Sequence, residues 1–236
     1  MQQKGLNGNQ LKLLALIAMT VDHIGLFIFP HEIAFRIIGR LAMPVFAFMI
    51  AEGCNRTRNR KRYFFTVLLV GLICQLVYAV VMISSYQCIM ITFAMSIAMI
   101  CLFKRAQERG KMLPWLLFAL GVAAVYFICE ELPVYLHRSR YSVLRDFDVD
   151  YGFWGVMLPV LIYSGKDKWQ RLFMALAGLS LIALDYHSIQ WYSLAALPFL
   201  ALYNGQRRQK NIKFFFYIYY PAHLVVLYAI GRYIHL

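Results

Sequence analysis

Residues 11–29 read LKLLALIAMTVDHIGLFIF. A helix that crosses a bilayer needs about 20 mostly apolar residues at about 1.5 Å rise each, and this run is long enough. It nevertheless carries Asp22 and His23 side by side, and a second apolar stretch opens just beyond it with Arg36 and Arg40. An ionisable side chain in a bilayer costs about 3 kcal/mol on insertion scales and is rarely present without a task. The same stretch therefore sets the fold class and points to the site.

Composition agrees. Hydrophobic residues make up 61% of the 236-residue chain and charged residues 15%, with mean hydropathy +0.60. A soluble domain averages roughly 45–50% apolar and 25% charged, so the sequence predicts an all-α, polytopic transmembrane bundle. The expected organisation is a single domain over 1–236. On the length ruler the spans fall at about 11–29, 33–53, 62–83, 86–103, 112–129, 151–164, 171–185, 191–203 and 213–234, about nine in all. No small-residue cleavage site follows the first run, which reads as a retained helix and not a signal peptide. Cys54, Cys74, Cys88, Cys101 and Cys129 lie singly in or beside apolar runs. They have neither metal spacing nor a disulfide framework, and no metal is expected.

The net charge of +13 invites a nucleic-acid reading, which its distribution excludes. The basic residues cluster as Lys4 and Lys12; Arg56, Arg58, Arg60, Lys61 and Arg62; Lys104, Arg105, Arg109 and Lys111; Lys166, Lys168 and Arg171; and Arg207, Arg208, Lys210 and Lys213. These clusters occupy every second connection, the positive-inside pattern, which puts the amino terminus in the cytoplasm. The expected location is a bacterial cytoplasmic membrane, with membrane lipids as surroundings. One outer connection is long, about 130–150. It mixes Glu130, Glu131, Asp146, Asp148 and Asp150 with Arg138, Arg140 and Arg145, and reads as a lid, a docking element or a solvated loop.

Topology turns sequence position into depth. Asp22 and Arg40 each lie about seven residues, ~10 Å, below the outer ends of their helices. Arg36 is one turn from Arg40 on the same face. A buried Asp–Arg pair neutralises itself, either as a structural pin or as part of a site. Adjacent helical residues point about 100° apart, so His23 cannot share that face and must look toward another helix or a cavity. In the last span His223 has Tyr219 and Tyr220 at i−4 and i−3, and Pro221 frees a carbonyl near Tyr217. That is a polar pocket or a proline kink around a core histidine. Asp150 opens the sixth span from outside, Asp185 and His187 close the seventh, and Glu52 ends the second beside the Arg56–Arg62 cluster.

These residues also carry a resemblance. MTVDHIGLFIFP (19–30), FRIIGRLAMPVFAFMIAEG (35–53), DYGFWGVMLPVLIY (150–163) and FYIYYPAHLVVLY (216–228) resemble the corresponding segments of the TraX family. Cys88 and Ser96 stand where that family would have Asn and Gly. The resemblance implies acetyl transfer from acetyl-CoA, the family's named activity being N-acetylation of F-type pilin. It is similar to the wider set of transmembrane acyltransferases. On this reading His23 is the base with Asp22 beside it, and His223 is a second base or relay. Arg36, Arg40, Tyr219, Tyr220 and Asp150 bind the acceptor, which is a peptide or pilin amine, a glycan or a small molecule. Glu52, Arg56, Arg58, Arg60 and Arg62 receive the phosphates of acetyl-CoA. A proton-coupled transporter and a non-catalytic assembly partner are the alternatives.

Overall fold

The computed structural model describes residues 5–138, 144–186, 188–206 and 213–234. Among these the chain is helical, with two isolated bridge pairs and no strand. The helices are α1 (Gly8–Phe27), α2 (Ile33–Gly39), α3 (Ala42–Arg56), α4 (Arg60–Val80), α5 (Ile89–Arg109), α6 (Met112–Tyr126), α7 (Leu132–Arg138), α8 (Gly152–Ser164), α9 (Lys168–Tyr186), α10 (Leu197–Ala201) and α11 (Lys213–Ile234). A π segment (Phe127–Glu131) joins α6 to α7, and a 3-10 segment (Ser188–Ala196) leads into α10. Among the described residues five helical stretches are long and apolar enough to cross a membrane: Gly8–Phe27, Ile33–Arg56, Arg60–Val80, Ile89–Arg109 and Met112–Arg138. Gly152–Ser164 and Ile189–Ala201 are apolar but shorter. The protein is thus of the all-α membrane class. Lys4, Arg140, His187, Arg207, Arg208 and Lys210 lie outside the described residues.

Most expected boundaries shift by up to three residues; four stretches depart further or in kind, three of them at prolines. The stretch 33–53 is broken between α2 and α3. Pro44 has no N–H for the Arg40 carbonyl and its ring crowds that oxygen, so the helix restarts at Ala42. The stretch 112–129 continues to Arg138, which takes 130–138 out of the outer connection. Pro133 there would collide with the Cys129 carbonyl in a regular helix; the π segment absorbs the mismatch, and the Leu132 N–H reaches Phe127. The stretch 191–203 begins at Ser188 as a 3-10 coil and becomes α-helical only at Leu197, beside Pro198. The fourth departure needs no proline. The helix expected over 86–103 runs instead from Ile89 to Arg109, stopped by Gly110 in the left-handed region at φ 59.

The chain forms two compact units, residues 1–49 with 165–236 and residues 50–164. In the first, Asn7 and Gln10 form a capping box that starts α1. Glycines let its helices close up. A Cβ on Gly25 would strike Phe35, one on Gly39 would strike the Asp22 side chain, and one on Gly231 would strike the Phe27 carbonyl. Close approach through small residues is the usual packing device between membrane helices. Leu11, Leu179, Ile182, Leu200 and Leu224 are fully buried around them.

The second unit packs α5 against α4, α6 and α8 around buried Ile97, Ile100, Leu158 and Ile162. Phe65, Leu69, Leu72, Leu76 and Val80 are exposed along α4 at helical spacing, a stripe suited to hydrocarbon and not to water. Polar side chains here tie segments together. Ser96 donates to the Val156 carbonyl at 2.8 Å, and Glu130 accepts the Phe153 N–H at 3.0 Å. The described part of the outer connection is fastened, with Asp146 holding Ser84 and Ser85. Gln87 and Val149 form a bridge pair.

Candidate functional site

The polar residues of α1 sort onto two faces. Asp22 turns toward α2, where its carboxylate accepts from Arg36 Nη1 at 2.7 Å and from Arg40 Nη2 at 3.2 Å. Gly39 makes this possible, because the absence of a side chain between the two arginines leaves room for the aspartate against the α2 backbone. RIIGR is therefore a three-part clamp of two guanidiniums flanking a gap. The break after Gly39 also frees the Arg40 side chain to bond back, its Nε donating to the Arg36 carbonyl at 3.1 Å. The expected Asp22–Arg40 pair is present, with Arg36 added, and the trio of one carboxylate and two guanidiniums carries a net positive charge.

His23 turns toward α11. Its Nδ1 lies 2.9 Å from Nε2 of His223, and the Nδ1 of His223 lies 2.9 Å from the Tyr219 carbonyl. A carbonyl oxygen can only accept, so His223 Nδ1 carries the proton. With His223 neutral, its Nε2 is then an acceptor, and His23 must donate to it from Nδ1. In neutral His23 that leaves the lone pair on Nε2. The chain of bonds selects one tautomer of each ring and leaves one basic nitrogen, on His23.

Aromatic residues hold this relay. The Tyr219 ring stacks on His223 at 5.2 Å and 8°, Tyr220 meets it edge-on at 5.4 Å, and Phe27 stacks on His23 at 5.9 Å. Thr20 gives its hydroxyl proton to the Leu16 carbonyl at 2.8 Å, so in the 2.8 Å contact between Thr20 and Tyr219 the tyrosine is the donor. Contacts climb both helices in the same order, Thr20 with Tyr219, His23 with His223 and Phe27 with Tyr228. The two helices thus run in the same direction.

A family description, TraX protein, matches residues 7–231. The chain belongs to the TraX family. It is similar to the "Probable fimbrial assembly protein FimC, serogroup H1" of Dichelobacter nodosus, with 25% identity covering 92% of this chain and 93% of that one. It is also similar to "Uncharacterized protein RP591" of Rickettsia prowazekii (strain Madrid E), 66% identical over 38 residues, 16% of this chain and 15% of that one. No solved structure matches it.

The remaining sequence candidates of this TraX-family chain lie in the second unit. Glu52 is buried and bonded to Arg56 one turn on. Arg60 Nε donates to the Cys54 carbonyl at 3.0 Å, while Arg58 and Arg62 are exposed. Asp150 accepts from the Tyr86 hydroxyl at 2.7 Å, and its carbonyl accepts from Thr92 at 2.9 Å; both bonds fasten the outer connection. Among the described residues no group of three or more His, Cys, Asp or Glu is placed to hold a metal ion.

Sequence reasoning missed Gln190. Its Oε1 accepts from Arg40 Nη1 at 3.2 Å, and the residue is 3% exposed. The signal was a Gln and a Ser three residues apart in the apolar run SIQWYSLAALP. Placing the helix start at 191 left Gln190 outside it.

Proposed function

We propose that the protein is a membrane-embedded acetyltransferase that moves an acetyl group from acetyl-CoA to an amine or hydroxyl acceptor. The His23–His223 contact carries this reading. Two imidazoles bonded in series to a carbonyl form a relay that leaves one basic nitrogen, and imidazole is suited to proton transfer near neutrality. His23 Nε2 takes the proton of the acceptor N–H or O–H as that atom attacks the acetyl carbon. The charge gained on His23 is shared with His223 and the Tyr219 carbonyl through the existing bonds. The C–S bond then breaks, the sulfur leaves with the electron pair, and His23 returns the proton to it. Arg36 and Arg40 bind the acceptor or stabilise the developing oxyanion. Asp22 holds both guanidiniums in place, and Tyr219 and Tyr220 set the His223 ring.

The donor's phosphates are received by Arg56, Arg58, Arg60 and Arg62 beside Glu52. The proposed setting is a bacterial cytoplasmic membrane with the amino terminus inside, supported by the alternation of basic clusters along the sequence.

The test is purified protein in lipid nanodiscs, with release of free CoA from acetyl-CoA as readout. His23→Gln is expected to lower the rate by about 10²–10⁴-fold, the usual range for loss of a general base, with unchanged thermal stability. No CoA release from the wild type with any amine or sugar acceptor would overturn the proposal. The name of the Dichelobacter relative favours one competing reading, a non-catalytic part in fimbrial assembly. A folded His23→Gln, His223→Gln double variant that retains full biological activity would establish that alternative.

A further inference from the structure

Three features of the unit that holds Asp22 point to what the site binds. The first is the clamp itself, in which two guanidiniums meet one carboxylate at 2.7 and 3.2 Å. The second is the Gln190 side-chain amide. Its oxygen accepts from Arg40, which fixes the amide orientation, since a guanidinium has nothing to accept with. The amide nitrogen is then a donor at the edge of the clamp, fully buried and with no hydrogen-bond partner among the described residues. The third is Ser193, whose Oγ is also buried and has no partner among the described residues. In a 3-10 coil residues i and i+3 eclipse one another, so Gln190 and Ser193 share a face of the 188–196 segment.

Leaving a buried polar group unsatisfied is costly, and two on one face beside a cationic cluster are not a packing accident. Arg36, Arg40 and the Gln190 amide nitrogen all donate, and the Ser193 hydroxyl can donate as well. A group that satisfies such a set must be rich in acceptor oxygens and negatively charged. We propose that Gln190 and Ser193 complete, with Arg36 and Arg40, a binding site for an anionic oxygen group, carboxylate or phosphate, on the molecule that receives the acetyl group. The assignment to the acceptor rests on the acetyltransferase reading, whereas the anion site stands on the donor geometry alone. The Arg36 side chain, 30% exposed, is the most open of the clamp and is the point of entry.

The test measures thermal unfolding of the full-length protein in nanodiscs without acetyl-CoA, at constant ionic strength, with chloride exchanged for acetate or inorganic phosphate. The wild type is expected to gain about 2–4 °C with one or both anions, the shift that a modest ligand gives in a chain of this size. Gln190→Glu supplies a carboxylate beside Arg40 from within. It is expected to raise the midpoint in chloride and to abolish the response to added anion. Arg36→Gln, which makes the trio neutral, is expected to abolish the response by a second route and serves if the first variant does not fold. A response to acetate alone identifies a carboxylate, and a response to phosphate alone identifies a phosphate ester. Equal midpoints in all three salts, or an undiminished response in the folded variants, would overturn the proposal and leave buried water as the partner of Gln190 and Ser193. Because CoA release is read separately, turnover without an anion response sinks only the anion site. An anion response without turnover sinks only the acetyl-transfer reading.

Discussion

Asp22 and Asp150 belong to different units of the chain and have opposite surroundings. Asp150 meets a tyrosine hydroxyl and gives its carbonyl to a threonine, neutral contacts that fasten one segment to another. Asp22 meets two guanidiniums from a neighbouring helix, and the next polar group along the chain of contacts, Gln190, has a donor left over among the described residues. The 50–164 unit uses polar side chains as fasteners, as Ser96, Glu130 and Asp146 also show. The other unit gathers charge and a histidine relay along α1, with buried groups left unsatisfied among the described residues on the 188–196 segment that meets Arg40. A polar residue in an apolar helix is therefore not by itself a sign of chemistry. What marks the site is polar groups that exceed each other's bonding capacity.

Making the same isosteric change in both units tests that contrast. Asp22→Asn removes the only anion of the clamp and leaves two guanidiniums facing each other, at a cost of about 3 kcal/mol. Asp150→Asn keeps an oxygen that can accept from Tyr86, and about 1 kcal/mol is expected. Denaturant unfolding of the two variants in matched detergent gives the ranking, and equal losses would erase the distinction between the units. A pair of glycines sharpens it at smaller scale. Gly39→Ala drives a methyl into the Asp22 side chain, so a loss of about 1–3 kcal/mol is expected, together with lost CoA release. In the other unit, Gly121→Ala meets only the flexible ends of Leu102 and Met99. There the better helix propensity of alanine, up to about 1 kcal/mol, offsets the contact, and stability should stay level.

The smallest effect concerns pH. Slight burial acts to raise the Asp146 carboxyl, but bonds from Ser84 and Ser85 outweigh it and hold the group below the usual carboxylate range. A depressed pKa in the folded state contributes stability above the unfolded value, about 3.9, and loses it as pH falls through the folded value. The midpoint difference between wild type and a Ser84→Ala, Ser85→Ala variant should therefore be constant from neutral pH to about 5 and vanish in stronger acid. A difference that grows on acidification would mean that Asp146 is not the fastener.

Much of the site could be read from the sequence because helix geometry is periodic. Equal depth paired Asp22 with Arg40, and the 100° step between neighbours separated Asp22 from His23. The contact between His23 and His223 was not readable, because nothing in two distant segments says which helix lies beside α1. Gln190 escaped for another reason. Its segment winds as a 3-10 coil, and rules for α-helical faces do not apply there. The break at Arg40 and the extension to Arg138 were readable in principle, since Pro44 and Pro133 are plain in the sequence. Their effects on the carbonyls four residues earlier simply outweigh the hydropathy of the surrounding residues.

The two histidines are 200 residues apart in sequence, and this separation has a consequence during synthesis. α1 leaves the ribosome early, and His23 then enters the membrane with neither a ring to bond nor a tyrosine beside it. Only when the helix bearing His223 has been made and inserted can the relay close. A nascent or truncated chain thus holds one half of the histidine pair, and the contact forms only once the helix bearing His223 has joined α1.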